Sequence, residues 1–115
     1  MARRNKNVFD DFIQVEKLPG EGRFIGEVAR YSVFEGSPSA IFNPEDIDNP
    51  EVKYAPVRAY LKKRYQKGDL TYSFMKVFNN PKSDDDVLGK KCYIDVEYRG
   101  SEENPYLTVT GIEKL

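Results

Sequence analysis

Apolar and polar residues alternate along residues 90–98, with the period of two that a β-strand shows when it packs one face on a core. One face carries Cys92, Ile94, Val96 and Tyr98, and the other carries Lys91, Tyr93, Asp95 and Glu97. Similar alternation runs through residues 23–34 and, with a change of face at Gly111, through residues 106–115. Because such strands bury their apolar faces by pairing into a sheet, the pattern predicts a mainly β fold.

Residues 57–78 are predicted to form a β-hairpin with a cationic outer face. Lys67-Gly68 suits a two-residue turn, and the core faces of the two strands would set Leu61 opposite Phe74. Between residues 58 and 67 there are five basic residues and no acidic one. The outer face would carry Arg58, Tyr60, Lys62, Arg64 and Met75 among its side chains.

This outer face has the chemistry of a surface for single-stranded nucleic acid. Spaced cations can follow a phosphate backbone, and a tyrosine ring or an exposed thioether gives bases an apolar plane. The alternative is structural, because basic and aromatic side chains are also ordinary on the solvated face of an antiparallel strand.

The remaining segments are predicted to form a terminal arm and the connections between the strands. Residues 1–7 are expected to form a flexible basic arm, and residues 36–55, which show no clear period, are expected to form a long acidic loop. Residues 83–89 predict a short helical turn, with Ser83 as its cap and Gly89 at its end.

These elements give the order strand, long loop, strand, turn, strand, short helix, strand, strand. That is the order of an OB-fold, a five-stranded Greek-key barrel with a short helix between strands 3 and 4. A small β-sandwich or an open sheet of similar content is the rival architecture.

The composition limits the function. A chain of 115 residues is expected to form a single domain, and no apolar run approaches the length of a membrane span. With no histidine and one cysteine, histidine-dependent catalysis is excluded, so we expect neither an enzyme, a metal site nor a cofactor. The absence of a signal peptide predicts a cytoplasmic protein.

The closing segment, LGKKCYIDVEYRGSEENPYLTVTGIEKL, resembles the end of small OB-fold proteins from phage replication and recombination modules. It covers about a quarter of the chain and contains a Leu-Gly-Lys-Lys strand opening and a final Gly-hydrophobic-Glu pattern. The resemblance implies single-stranded DNA binding in the host cytoplasm, with replication or recombination proteins as partners. It adds Lys91 and Tyr93 to the candidate contacts.

Two other functions fit the sequence. One is a protein-interaction module, an inhibitor or assembly component, that uses Ile41, Phe42, Ile47 and Tyr54 of the acidic loop as anchors. These side chains could instead fold back on the core. The other is binding of single-stranded RNA, because stacking does not distinguish the sugars. A homo-oligomer is left open, since an exposed sheet edge can pair with a second copy.

Overall fold

The computed structural model describes residues 12–115, apart from the side chain of Phe34. Five antiparallel strands form one sheet in the order β3-β2-β1-β4-β5. The strands are β1 (Gly22–Phe34), β2 (Ser37–Glu45), β3 (Val57–Tyr60), β4 (Lys91–Gly100) and β5 (Pro105–Glu113). One short α-helix, α1 (Leu70–Val77), lies between β3 and β4 in sequence. The prediction of a mainly β fold is therefore confirmed, while the predicted arm at residues 1–7 lies outside the described residues.

The first strand follows the predicted alternation until it reaches a bulge. Phe24, Gly26 and Val28 point into the core. The pairing with β2 then shifts between Val28 and Arg30, which leaves Ala29 as the extra residue. Beyond the bulge, Arg30 pairs with Ile41 on the outer face of the sheet.

The predicted loop at residues 36–55 is wrong, because its first half is the strand β2. Ala40 and Phe42 are fully buried on the core face of β2. Proline is disfavoured inside a paired strand, which is why Pro38 and Pro44 concealed it. Only residues 39–42 of β2 pair with β3, so both prolines lie outside that pairing.

The predicted hairpin at residues 57–78 is also wrong. Its first strand stops at Tyr60, and the predicted second strand is the helix α1. Phe74 and Phe78 are four residues apart, a spacing that places two side chains on one side of a helix and also on one side of a strand. Both are buried, with ring centroids 4.9 Å apart, so they pack α1 on the core instead of pairing with β3.

The helical turn predicted at residues 83–89 is confirmed as a single 3₁₀ turn, Asp84–Asp86. The Asp86 carboxylate accepts hydrogen bonds from the backbone N–H groups of Lys82 at 2.8 Å and Ser83 at 3.3 Å. These bonds lower the pKa of Asp86. Gly89 ends the turn with a φ of 80°, a conformation that glycine adopts at little cost.

The sheet curls but is not closed into a barrel. Its edge strands are β3 and β5, and no backbone ladder joins them in the described part of the chain. The Thr108 hydroxyl on β5 donates a hydrogen bond of 2.7 Å to the Arg58 carbonyl on β3. Across residues 12–115, no helix has both the length and the apolar character to span a membrane.

Candidate nucleic-acid interface

A surface on three neighbouring strands carries cations and an exposed aromatic ring. Directly opposed residues in antiparallel strands share a face, so Arg30, Ile41 and Arg58 form one row across β1, β2 and β3. Ser39 and Tyr60 lie beside that row, on the same side of the sheet. Ser39 is buried, so we call the other four residues the basic face: Arg30, Ile41, Arg58 and Tyr60.

An aromatic pair bridges the edges of the sheet next to the basic face. The rings of Tyr60 and Tyr106 meet edge to face, with centroids 6.3 Å apart and planes at 76°. Tyr60 is 55% exposed and Tyr106 is 47% exposed. The Arg58 guanidinium lies 6.0 Å from the centre of the Tyr60 ring, at the outer limit of a cation–π contact. Each ring therefore keeps surface on which a base could stack.

The segment between β3 and α1 presents more cations. We call residues 61–69 the basic loop. The Lys62 N–H donates to the Thr71 hydroxyl at 2.7 Å, and the Gln66 N–H donates to the Asp69 carboxylate at 3.0 Å. The bond from Gln66 is the main cause of the lowered pKa of Asp69. These bonds fix both ends of the loop and leave exposed the side chains of Lys63, Arg64 and Lys67.

The cations of this region are poorly neutralised. Among residues 12–115, no carboxylate forms an ion pair with Arg30, Arg58, Lys63, Arg64 or Lys67. Lys62 alone has an acidic partner, Asp69 at 3.4 Å. Unpaired cations keep their full charge available for phosphate, so this region has the charge that a polyanion surface needs.

Cations elsewhere on the sheet are engaged. Lys91 contacts Glu45 at 3.2 Å, and the Arg23 guanidinium binds Asp95 at 2.8 Å. The same guanidinium lies 5.3 Å from the centre of the Tyr93 ring. Lys91 and Tyr93 lie on the outer face of the sheet, as predicted. Their contacts, with Glu45 on β2 and Arg23 on β1, join neighbouring parts of the sheet.

Four of the seven predicted contacts lie on β3 and on the loop that follows it. Arg58 and Tyr60 belong to the basic face, and Lys62 and Arg64 belong to the basic loop. Met75 does not join them, because it lies on α1 and packs partly against the core. The placement of Met75 on a hairpin face is corrected accordingly. Lys91 and Tyr93 lie on β4, which β2 and β1 separate from β3.

Sequence reasoning missed Arg30 and Tyr106. Simple alternation from Phe24 assigns Arg30 to the core side, and only the bulge at Ala29 turns it outward. Tyr106 joins the site because β5 approaches β3, a contact between distant residues that no local pattern indicates. The only available signal was an aromatic residue at the start of the last strand.

The four predicted anchors of the acidic loop are not all accessible to a protein partner. Phe42 is fully buried, and the Tyr54 ring packs edge-on against Phe24 at 5.4 Å. Ile41 is part of the basic face, and Ile47 is the only one of the four predicted anchors that is classed as exposed. The two aromatic side chains, Phe42 and Tyr54, therefore pack on the sheet, as the structural alternative expects.

Comparison with known proteins adds no family to this description. No protein-family model matches the chain, and a search of the curated proteins gives no significant match. The proposal of binding therefore rests on the arrangement of the side chains.

Proposed function

We propose that this protein binds single-stranded DNA through the basic face and the basic loop. The observation that supports the proposal is the set of cations without acidic partners beside the exposed rings of Tyr60 and Tyr106. Cations along a groove hold the phosphate backbone, and aromatic rings stack bases with little regard for sequence. The proposal is one of binding and not of catalysis.

The scaffold fits this function. The strand β4 returns to lie beside β1, which is the spatial order of a Greek key, and α1 separates β3 from β4. The approach of β5 to β3 curls the sheet towards the partly open barrel of an OB-fold. We infer an OB-like scaffold that presents the outer faces of β2 and β3 to a strand.

The biological setting follows from the same proposal. A protein that holds exposed strands without strong sequence preference suits DNA replication or recombination, and the resemblance of residues 88–115 to phage OB-fold proteins points to a phage or bacterial system. Single-stranded RNA is the second candidate, because none of the proposed contacts requires a particular sugar.

The direct test is fluorescence anisotropy of labelled oligo-dT, titrated with the protein at about 50 and 200 mM salt. We expect binding that weakens with salt and that unlabelled duplex does not displace. Stronger binding of oligo-U than of oligo-dT would assign the site to RNA. The absence of binding at low salt would contradict the proposal.

A double variant tests whether the basic loop makes these contacts. Lys62→Ala/Arg64→Ala removes two charges, so the slope of log K against log salt should fall by about 1.4. Lys17→Ala/Lys82→Ala is the matched control, because both lysines are exposed and lie outside the basic face and the basic loop. An equal loss in both variants would indicate a net-charge effect and not a site.

A further inference from the structure

A polar groove lies between the basic loop and α1. Its volume is about 380 Å³, and it is lined by Tyr65, Tyr72, Met75, Lys76, Asn79 and Asn80. This volume lies in the ordinary range of small-ligand sites. Tyr65 belongs to the basic loop, so the groove continues the proposed binding surface towards the end of the helix.

The two asparagines have an unusual backbone. Asn79 and Asn80 have φ values of 59° and 53°, in the left-handed region. The N–H of Asn80 donates to the Met75 carbonyl at 2.7 Å, and the N–H of Asn79 donates to the Lys76 carbonyl at 3.2 Å. These bonds end the helix, and glycine could make both of them with less strain. The helix end alone therefore does not require the two carboxamides.

The polar groups that line the groove are unused. Within residues 12–115, no protein atom forms a hydrogen bond with the side chains of Tyr65, Tyr72, Lys76, Asn79 or Asn80. A carboxamide presents a donor next to an acceptor, which matches the N6 and N7 atoms of adenine. A tyrosine ring offers a stacking plane for an unpaired base, and a lysine offers a charge for its phosphate.

We propose that this groove binds one adenine base of the bound strand, with Asn79 or Asn80 hydrogen-bonded to its edge and Tyr65 or Tyr72 stacked on its face. The inference rests on the proposed function, because the basic loop must first hold the strand. It adds a local base preference to binding that is otherwise indifferent to sequence.

The test compares oligo-dT of about 16 nucleotides with the same oligonucleotide carrying one central dA, dC or dG. For the wild-type protein we expect the dA oligonucleotide to bind about 5- to 150-fold more tightly than oligo-dT, the range for one bidentate contact. Asn79→Gly/Asn80→Gly keeps the left-handed backbone accessible and removes both carboxamides, so it should abolish this preference. It removes no charge, so the salt dependence of binding should stay the same.

The controls separate the groove from the rest of the surface. Asn49→Gly removes an exposed carboxamide from another turn and should keep the dA preference. Tyr72→Ala should weaken binding of all four oligonucleotides, and a thermal melt of each variant verifies folding. A wild-type protein that binds all four equally, or a glycine variant that keeps the preference, would overturn the adenine groove. Failure to bind any single strand would instead contradict the proposed function itself.

Discussion

Tyr60 and Tyr106 meet edge to face, and this geometry leaves the flat surface of at least one ring open to a ligand. The neighbouring Arg58 guanidinium raises the local positive potential. A base stacked on either ring would therefore place its phosphate close to a cation. Such a contact is largely indifferent to the identity of the base.

Removal of either ring should weaken the binding of single-stranded DNA. We expect Tyr60→Ala and Tyr106→Ala each to cost about 1–3 kcal/mol of binding free energy, the range for one stacked base. Because the rings touch, the double variant should cost less than the sum of the two single variants. Anisotropy titrations of the four proteins measure this cycle.

Tyr98→Ala is the matched control for the tyrosine pair. Tyr98 is 49% exposed and lies on β4. By strand alternation it is on the same face as the core residues Ile94 and Val96, opposite to the outer face. Its removal should leave DNA binding unchanged. A similar loss in this variant would mean that exposed tyrosines contribute through folding and not through base stacking.

Glu45 is a buried charge on the outer side of β2, with only 6% of its surface exposed. Its carboxylate accepts from Lys53 at 2.6 Å and from Lys91 at 3.2 Å. Burial alone would raise the pKa of Glu45, but the bonds from the two lysines outweigh it and lower the pKa below its ordinary value of 4.5. The carboxylate therefore stabilises the fold in its charged form.

The stability of the protein should depend on pH through this group. A lowered pKa in the folded state gives stability that is present above pH 4.5 and is lost as the pH falls below it. Glu45→Gln should lower the free energy of unfolding by about 1–3 kcal/mol at pH 7 and by less at pH 3. Urea unfolding across this range measures both values.

Glu51→Gln provides the comparison for Glu45. Glu51 is exposed and has no ion pair within residues 12–115, so its replacement should leave the wild-type pH profile intact. A loss of stability that is equal at pH 7 and pH 3 in Glu45→Gln would show that side-chain packing, and not charge, is what Glu45 contributes.

At the scale of the elements, the local pattern predicted the strands with simple alternation. It failed for β2, where prolines interrupt the strand, and for α1, where the spacing of apolar residues fits both a helix and a strand. Residues 91–100 and 105–113 were anticipated because their core residues alternate with charged neighbours. The spacing of Phe74 and Phe78 fits a strand and a helix equally well, so the sequence did not distinguish them. The choice is made by packing, since Phe74 and Phe78 are both buried in the core with this segment folded as a helix.

Gly26 lets three strands approach closely at the centre of the sheet. A Cβ atom there would lie 2.9 Å from Ile94 Cδ1 and 3.0 Å from Phe42 Cδ1. Gly26→Ala should therefore lower the free energy of unfolding by about 1–3 kcal/mol through overpacking. Chemical denaturation at neutral pH measures the change.

A glycine in the same strand supplies the control. At Gly22 a Cβ atom would meet only the Phe24 ring, at 3.7 Å, which is an ordinary contact. Gly22→Ala should be neutral or slightly stabilising, because alanine has fewer unfolded conformations to lose. If both variants lost the same stability, the crowding at Gly26 would not be the cause.

At the scale of the whole molecule, the site depends on contacts that no single segment encodes. Arg58, Tyr60, Lys62 and Arg64 were predictable because they are neighbours in sequence. Tyr106 reaches Tyr60 only through the approach of the two sheet edges, and Arg30 reaches the basic face only through a bulge. When strand register or a contact between sheet edges places a residue in a site, the local sequence pattern does not indicate it.

Thr108 holds the edges of the sheet together. Thr108→Val keeps the shape of the side chain but leaves the Arg58 carbonyl without its donor, which should cost about 1–3 kcal/mol. Hydrogen exchange of the β3 amides should become faster. Thr110→Val is the control, because the Thr110 hydroxyl lies 3.5 Å from its acceptor and should contribute little. Equal effects in the two variants would argue against a closing role for Thr108.

The cations of the basic face and the basic loop that have no acidic partner form a local positive region in a protein whose net charge is −1. A polyanionic strand within about 10 Å in 0.1 M salt would attract this region and so orient the protein before contact. Association should therefore be fast and orientation-selective for a protein whose overall charge is repelled by DNA, and increasing ionic strength should slow the association rate more than it accelerates dissociation.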